Sequence, residues 1–87
     1  MSKNKMPGVD SQPEREIFGQ NFREARMRVG LSQRDVHRLT GVAQSHISEI
    51  ETGVSNISVD TMVKLSTTVK RPLWKLFKPL STKARSV

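Results

Sequence analysis

Phe18, Phe22, Ala25 and Val29 follow one another at steps of four, three and four residues, the spacing that lines up one face of an α-helix. Two start signals precede this face: Ser11 with Glu14 three residues on forms a capping box, and Pro13 suits a first helical position, so helix one begins near Pro13 and closes at Gly30. Ser32 with Asp35 is a second capping box. It opens a helix that runs to about Thr40, turns its inward face through Val36 and Leu39, and ends at Gly41. After Val42 and Ala43 a third helix keeps Ile47 and Ile50 inside and stops at Gly53. Ser58 starts a fourth, whose inner face is Met62, Leu65 and Val69. Pro72 opens a short fifth helix over Leu73–Phe77, and Pro79 ends it. No strand alternation and no internal repeat appears, so the pattern predicts an all-α fold of five compact helices. Residues 1–12 read as a flexible leader, 13–78 as the folded domain and 79–87 as a basic tail.

Composition narrows the class. A chain of 87 residues with 34% hydrophobic content buries one small core. It holds no cysteine, which excludes disulfide staples and thiolate zinc sites and suits a reducing compartment such as the cytoplasm. No apolar run approaches the ~20 residues that span a bilayer, so a membrane role is not expected. The only histidines, His37 and His46, do not make a metal site by themselves. No spacing of Ser, His and Asp suggests an activated nucleophile, and so neither an enzyme nor a cofactor is expected.

The formal net charge of +7 is of the sign that a polyanion attracts. Its distribution changes the picture. Residues 1–63 hold eight basic side chains and all eight acidic ones, whereas residues 64–87 hold the remaining seven basic ones and no acid. Within Leu31–Gly53, two basic residues stand against three acidic ones. That segment cannot draw in an anion by charge, yet it carries the most specific pattern in the chain.

Two helices that cross steeply over a three- or four-residue turn need a residue tolerant of positive φ at the turn and apolar residues that lock the pair. Gly41 meets the first need, and Val36, Val42, Ile47 and Ile50 meet the second. The free side of the second helix then carries Gln44, Ser45, His46, Ser48 and Glu49, hydrogen-bonding side chains of the kind that distinguish base pairs in a major groove about 12 Å wide.

The ordered set Phe18-Gly19, Phe22, Arg26, Leu31-Ser32-Gln33, Gly41-Val42, Gln44-Ser45, Ile47-Ser48, Ile50-Glu51, Gly53, Leu73 and Leu76-Phe77 resembles the Xre/Cro-like bacterial and phage repressors over roughly residues 16–78. The resemblance implies a lambda-repressor-like domain with its helix-turn-helix in helices two and three. It also implies a cytoplasmic, nucleoid-associated, sequence-specific DNA-binding transcriptional regulator, usually a repressor that binds a palindromic operator as a homodimer. By the same resemblance, Gln33 bonds a DNA phosphate and braces Gln44, Gln44 binds an adenine edge, Ser45 touches the next base and Glu49 reaches deeper to a cytosine amino group. Because a carboxylate repels phosphates, Glu49 either reads cytosine in this way or simply faces solvent. Arg26 and Glu51 would form a structural pair.

Further candidates come from position. His46 is either a base or phosphate contact or a surface residue. Arg34 and Arg38 either grip phosphate or are merely solvated, and Ser48 and Ser58 join them as phosphate candidates. Trp74 points away from the buried side of the fifth helix, and with Phe77 is the expected dimer interface. Three features depart from the family pattern: His37 where alanine prevails, a loop Val54-Ser55-Asn56 without cations, and Lys70 where a helix-ending glycine is usual. The alternative reading is an antitoxin that masks a toxin while autoregulating its own promoter. A toxin or a co-regulator would then be a second partner beside double-stranded DNA.

Overall fold

The structure, a computed structural model, describes residues 13–79. Four α-helices run α1 Pro13–Arg28, α2 Gln33–Thr40, α3 Gln44–Thr52 and α4 Val59–Thr68, followed by a 3-10 turn at Leu73–Phe77. All secondary structure among the described residues is helical, but the fifth element is not the α-helix that the sequence predicts. Pro72 in front and Pro79 behind leave six residues, too few to repay an α-helical nucleus, and the bond from the Lys75 N–H to the Pro72 carbonyl closes the tighter ring instead. Ser11, and with it the predicted box to Glu14, lies outside the described residues, which begin at Pro13 with α1 already helical.

The core is one cluster. Phe18, Phe22 and Ala25 of α1 meet Val36 of α2, Ile47 and Ile50 of α3, Leu65 and Val69 at the end of α4, and Leu76 of the 3-10 turn. The Phe18 and Phe22 rings lie nearly parallel with centroids 6.4 Å apart, and Phe77 tilts onto Phe18 at 5.4 Å. Met62 is only partly buried at its edge.

Two apolar positions fall outside this core. Val29 sits beyond the end of α1 and is exposed, because Gly30 turns the chain at φ 80° and the Leu31 N–H bonds back to the Arg26 carbonyl. That closing motif swings Leu31 against the core in place of Val29. Leu39 is 66% exposed. The inward side of α2 runs through Gln33, Val36 and Thr40, and at ~100° per residue Leu39 lies about a quarter turn off it.

Candidate nucleic-acid interface

α2 begins where Ser32 can hold it. The Ser32 hydroxyl accepts from the Asp35 N–H and the Asp35 carboxylate accepts from the Ser32 N–H, both at 2.9 Å, which is the predicted box. The Ser32 backbone and hydroxyl bonds, joined by the charges of Arg38 and Arg34, hold the Asp35 carboxyl below its ordinary pKa.

The turn between α2 and α3 is tied on both sides. Gly41 stands at φ 80°, and its N–H bonds the His37 carbonyl at 2.8 Å. Thr40 donates to the Val36 carbonyl and accepts from the Val42 N–H. His37 Nδ1 lies 2.8 Å from the Val42 carbonyl. A carbonyl can only accept, so Nδ1 carries the proton and the ring clamps the turn. The alanine departure is thereby accommodated with the ring exposed beside the turn.

α3 is set deep against α1 because Gly19 has no side chain. A Cβ there would stand 2.1 Å from the Ile50 carbonyl oxygen. Around this crossing Glu51 gathers three elements. It accepts from Arg26 Nε at 2.6 Å and from Arg26 Nη2 at 3.0 Å, and it accepts from Gln33 Nε2 at 3.1 Å. Arg26 and Glu51 are both buried, so the structural pair expected from the family is present. Gln33, in contrast, is hydrogen-bonded to Glu51 and not to Gln44. Arg23 approaches the same carboxylate at 3.8 Å from a largely exposed position.

With Ile47 and Ile50 buried, Gln44, Ser45, Ser48 and Glu49 are all exposed. They recur at steps of one, three and one and therefore form a single arc of α3. No side chain caps this helix at Ala43, so its first N–H groups are open to an acceptor. His46, the fourth residue expected to contact bases, differs from these in its surroundings. It is only half-exposed, and its Nδ1 lies 3.1 Å from the Ser55 hydroxyl, which ties α3 to the following loop.

The cations are divided. Arg34 is exposed, whereas Arg38 pairs with Asp35 at 2.8 Å. Ser58 caps α4 by accepting from the Thr61 N–H, and its own proton goes to Thr61 Oγ1. That leaves the Ser58 hydroxyl no proton for a phosphate while the cap holds. Arg15 bonds the Asn56 side chain and so reaches the cation-free loop from α1. Arg15, Arg23 and Ser55 are the residues that sequence reasoning passed over as individuals. The signal was available for two of them, since positions 15, 19, 23 and 26 share the side of α1 that faces α3. Trp74 is 63% exposed as expected. Phe77, expected with it at a dimer interface, is half-buried against Phe18 and belongs partly to the core.

The helix-turn-helix family model matches residues 22–73, which is more than half of the chain. The chain belongs to the Xre/Cro-like helix-turn-helix family. This helix-turn-helix protein is therefore a member of a family of DNA-binding transcription regulators. Among solved structures, it is similar to the restriction-modification controller protein C.AhdI from Aeromonas hydrophila, with a TM-score of 0.70 and 34% identity over 75% of this chain and 98% of that one. It shares a fold with a hypothetical transcription factor, NHTF, from Neisseria, with a TM-score of 0.74 and 22% identity over 100% of this chain and 98% of that one. No match is found among curated proteins. No helix among the described residues is long and apolar enough to cross a membrane.

Proposed function

We propose that this helix-turn-helix protein is a cytoplasmic, sequence-specific repressor that binds a palindromic operator as a homodimer. Each protomer sets Gln44 and Ser45 into one of two major grooves about 34 Å apart on one face of the duplex. The observation that carries this reading is the exposed arc of Gln44, Ser45, Ser48 and Glu49 on a helix whose first turn has no side-chain cap. Gln44 supplies a bidentate amide for an adenine edge, and Ser45 and Glu49 read neighbouring bases. Phosphates are held by the open N–H groups of α3, by Gln33 and Arg34, and by Arg23 from α1. His46 acts mainly as a brace for the loop through Ser55. Trp74 is the exposed anchor of the dimer.

C.AhdI, a restriction-modification controller by its description, supports an autonomous gene regulator over the antitoxin alternative. Selection of bound DNA from a random pool tests the whole reading. A palindrome is expected, together with a dimer in light scattering. Gln44→Ala should then weaken binding to the selected site by about 1–3 kcal/mol. A selected pool without a shared sequence, or an unchanged affinity in the variant, overturns base reading by this arc.

A further inference from the structure

Four cations crowd one rim far from the reading arc. Arg28 in the last turn of α1, Arg71 beyond α4, Lys75 in the 3-10 turn and Lys78 just after it line a cavity of about 280 Å³, with Glu24 as the only carboxylate in its wall. Among the described residues none of the four belongs to an ion pair. Arg28, Lys75 and Lys78 are exposed. Like charges gathered in this way repel one another until an anion joins them.

The backbone that carries them is fixed. Lys70 takes the left-handed conformation at φ 61°, and the Arg71 N–H bonds back to the Ser66 carbonyl at 3.0 Å, so the chain end of α4 curls and brings Arg71 round. Asn21 of α1 donates to the carbonyls of Leu76 at 2.9 Å and Lys78 at 2.8 Å, which holds the 3-10 turn against α1. A ligand therefore meets cations whose backbone is already ordered.

The cradle lies away from α3. At ~100° per residue, Gly19, Arg23 and Arg26, which face α3, share one side of α1, whereas Asn21, Ala25 and Arg28 share the other. We propose that this cradle is an anion site, separate from the reading arc, which holds a row of two or more phosphates. The match is chemical: two guanidiniums able to bind phosphate oxygens in pairs, and two ammoniums as point charges. A run of phosphates is presented both by a DNA backbone and by a free oligophosphate such as a nucleoside triphosphate.

The site has a built-in reporter, since Lys75 Nζ stands 5.6 Å from the ring centroid of Trp74, the only tryptophan of the chain. Inorganic triphosphate, titrated into the full chain at low salt without magnesium, is expected to shift Trp74 emission and to bind saturably in calorimetry. The affinity should be at least tenfold above that of inorganic phosphate. The double variant Arg28→Gln with Lys78→Gln changes two exposed side chains, and is expected to lose at least tenfold in triphosphate affinity with an unchanged thermal melt. If that variant does not melt like the parent, Lys78→Gln alone takes its place, with a smaller loss expected.

No saturation into the millimolar range overturns the site, as does equal binding by parent and variant. Binding of random-sequence duplex at several salt concentrations tells the sources apart. A slope shallower by roughly 0.9 per lost contact assigns the row to the DNA backbone. An unchanged slope, with triphosphate binding lost in the variant, assigns it to a free oligophosphate. None of these readouts involves a selected operator, so failure of the cradle and failure of base reading are separate results.

Discussion

Replacing Glu51 by glutamine removes one acceptor and one charge while keeping the shape. The carboxylate accepts from three donors, Arg26 Nε on one oxygen and Arg26 Nη2 with Gln33 Nε2 on the other. A carboxamide has a single oxygen. Turned toward Nη2 and Gln33, it keeps those two bonds but presents its own NH2 to Arg26 Nε, a donor facing a donor. One charge-assisted hydrogen bond is lost, worth ~1.5–3 kcal/mol, and a guanidinium whose side chain is only 10% exposed keeps its charge without a counterion. Complete removal of one partner of a buried pair costs ~3–5 kcal/mol, so Glu51→Gln should destabilise by about 3 kcal/mol. For a domain of this size that is a fall of about 12–24 °C in the unfolding midpoint, read by circular dichroism or calorimetry. Arg26→Met combined with Glu51→Leu should melt well above Glu51→Gln, because no unpaired charge remains buried. A fall of under about 4 °C for Glu51→Gln, or a double variant that melts lower still, would refute the claim that this pair couples α1 to α3.

Gly19→Ala should destabilise by about 3 kcal/mol, because a Cβ 2.1 Å from the Ile50 carbonyl oxygen cannot be accommodated unless α3 backs away from α1; a melt within about 2 °C of the parent contradicts this crossing. Lys70→Gly should stabilise by roughly 0.5–1 kcal/mol, since glycine adopts the left-handed conformation seen at φ 61° without strain. Chemical denaturation checks that sign, and a destabilised variant would mean that the lysine side chain contributes more than its backbone strain costs.

Sequence reading succeeded where one residue type has one structural use. Gly41 at the turn, Ser32 with Asp35 at the head of α2, Ser58 at the head of α4 and Lys70 in a glycine's place were all legible, because cap and turn positions admit few residues. Failures came from effects that local spacing does not contain. Leu39 satisfies a helical period as well as Thr40 does, and the choice between them depends on how α2 lies on α3 and α4. Val29 loses its place to Leu31 through the closing motif at Gly30. The residues Leu73–Phe77 read as a helix by composition, but a span bounded by two prolines favours the 3-10 form. His46 sits beside Gln44 and Ser45 in the chain and looks equally free, yet Ser55 nine residues on takes its ring. That contact requires the path of the loop, which no periodicity encodes.

Gln33 shows how the two levels fit. The resemblance gives it a phosphate and Gln44 as partners, whereas the structure gives it Glu51. A glutamine amide has two N–H donors and an oxygen with two lone pairs. With one N–H directed at Glu51, the amide plane is fixed, its nitrogen lies toward the carboxylate, and one N–H and the oxygen remain. Under the proposed reading, that second N–H takes the phosphate and the oxygen accepts from the Gln44 amide, so no bond of the free protein has to break. Glu51 would then act on DNA without touching it. Under the same reading, the carboxylate that holds Arg26 at the α1–α3 crossing also orients the residue beside the reading arc, so that stability and base selection would rest on one side chain. Glu51→Gln keeps the Gln33 bond in the arrangement argued above, so a protein that melts early should still select the parent's operator at a temperature where it is folded.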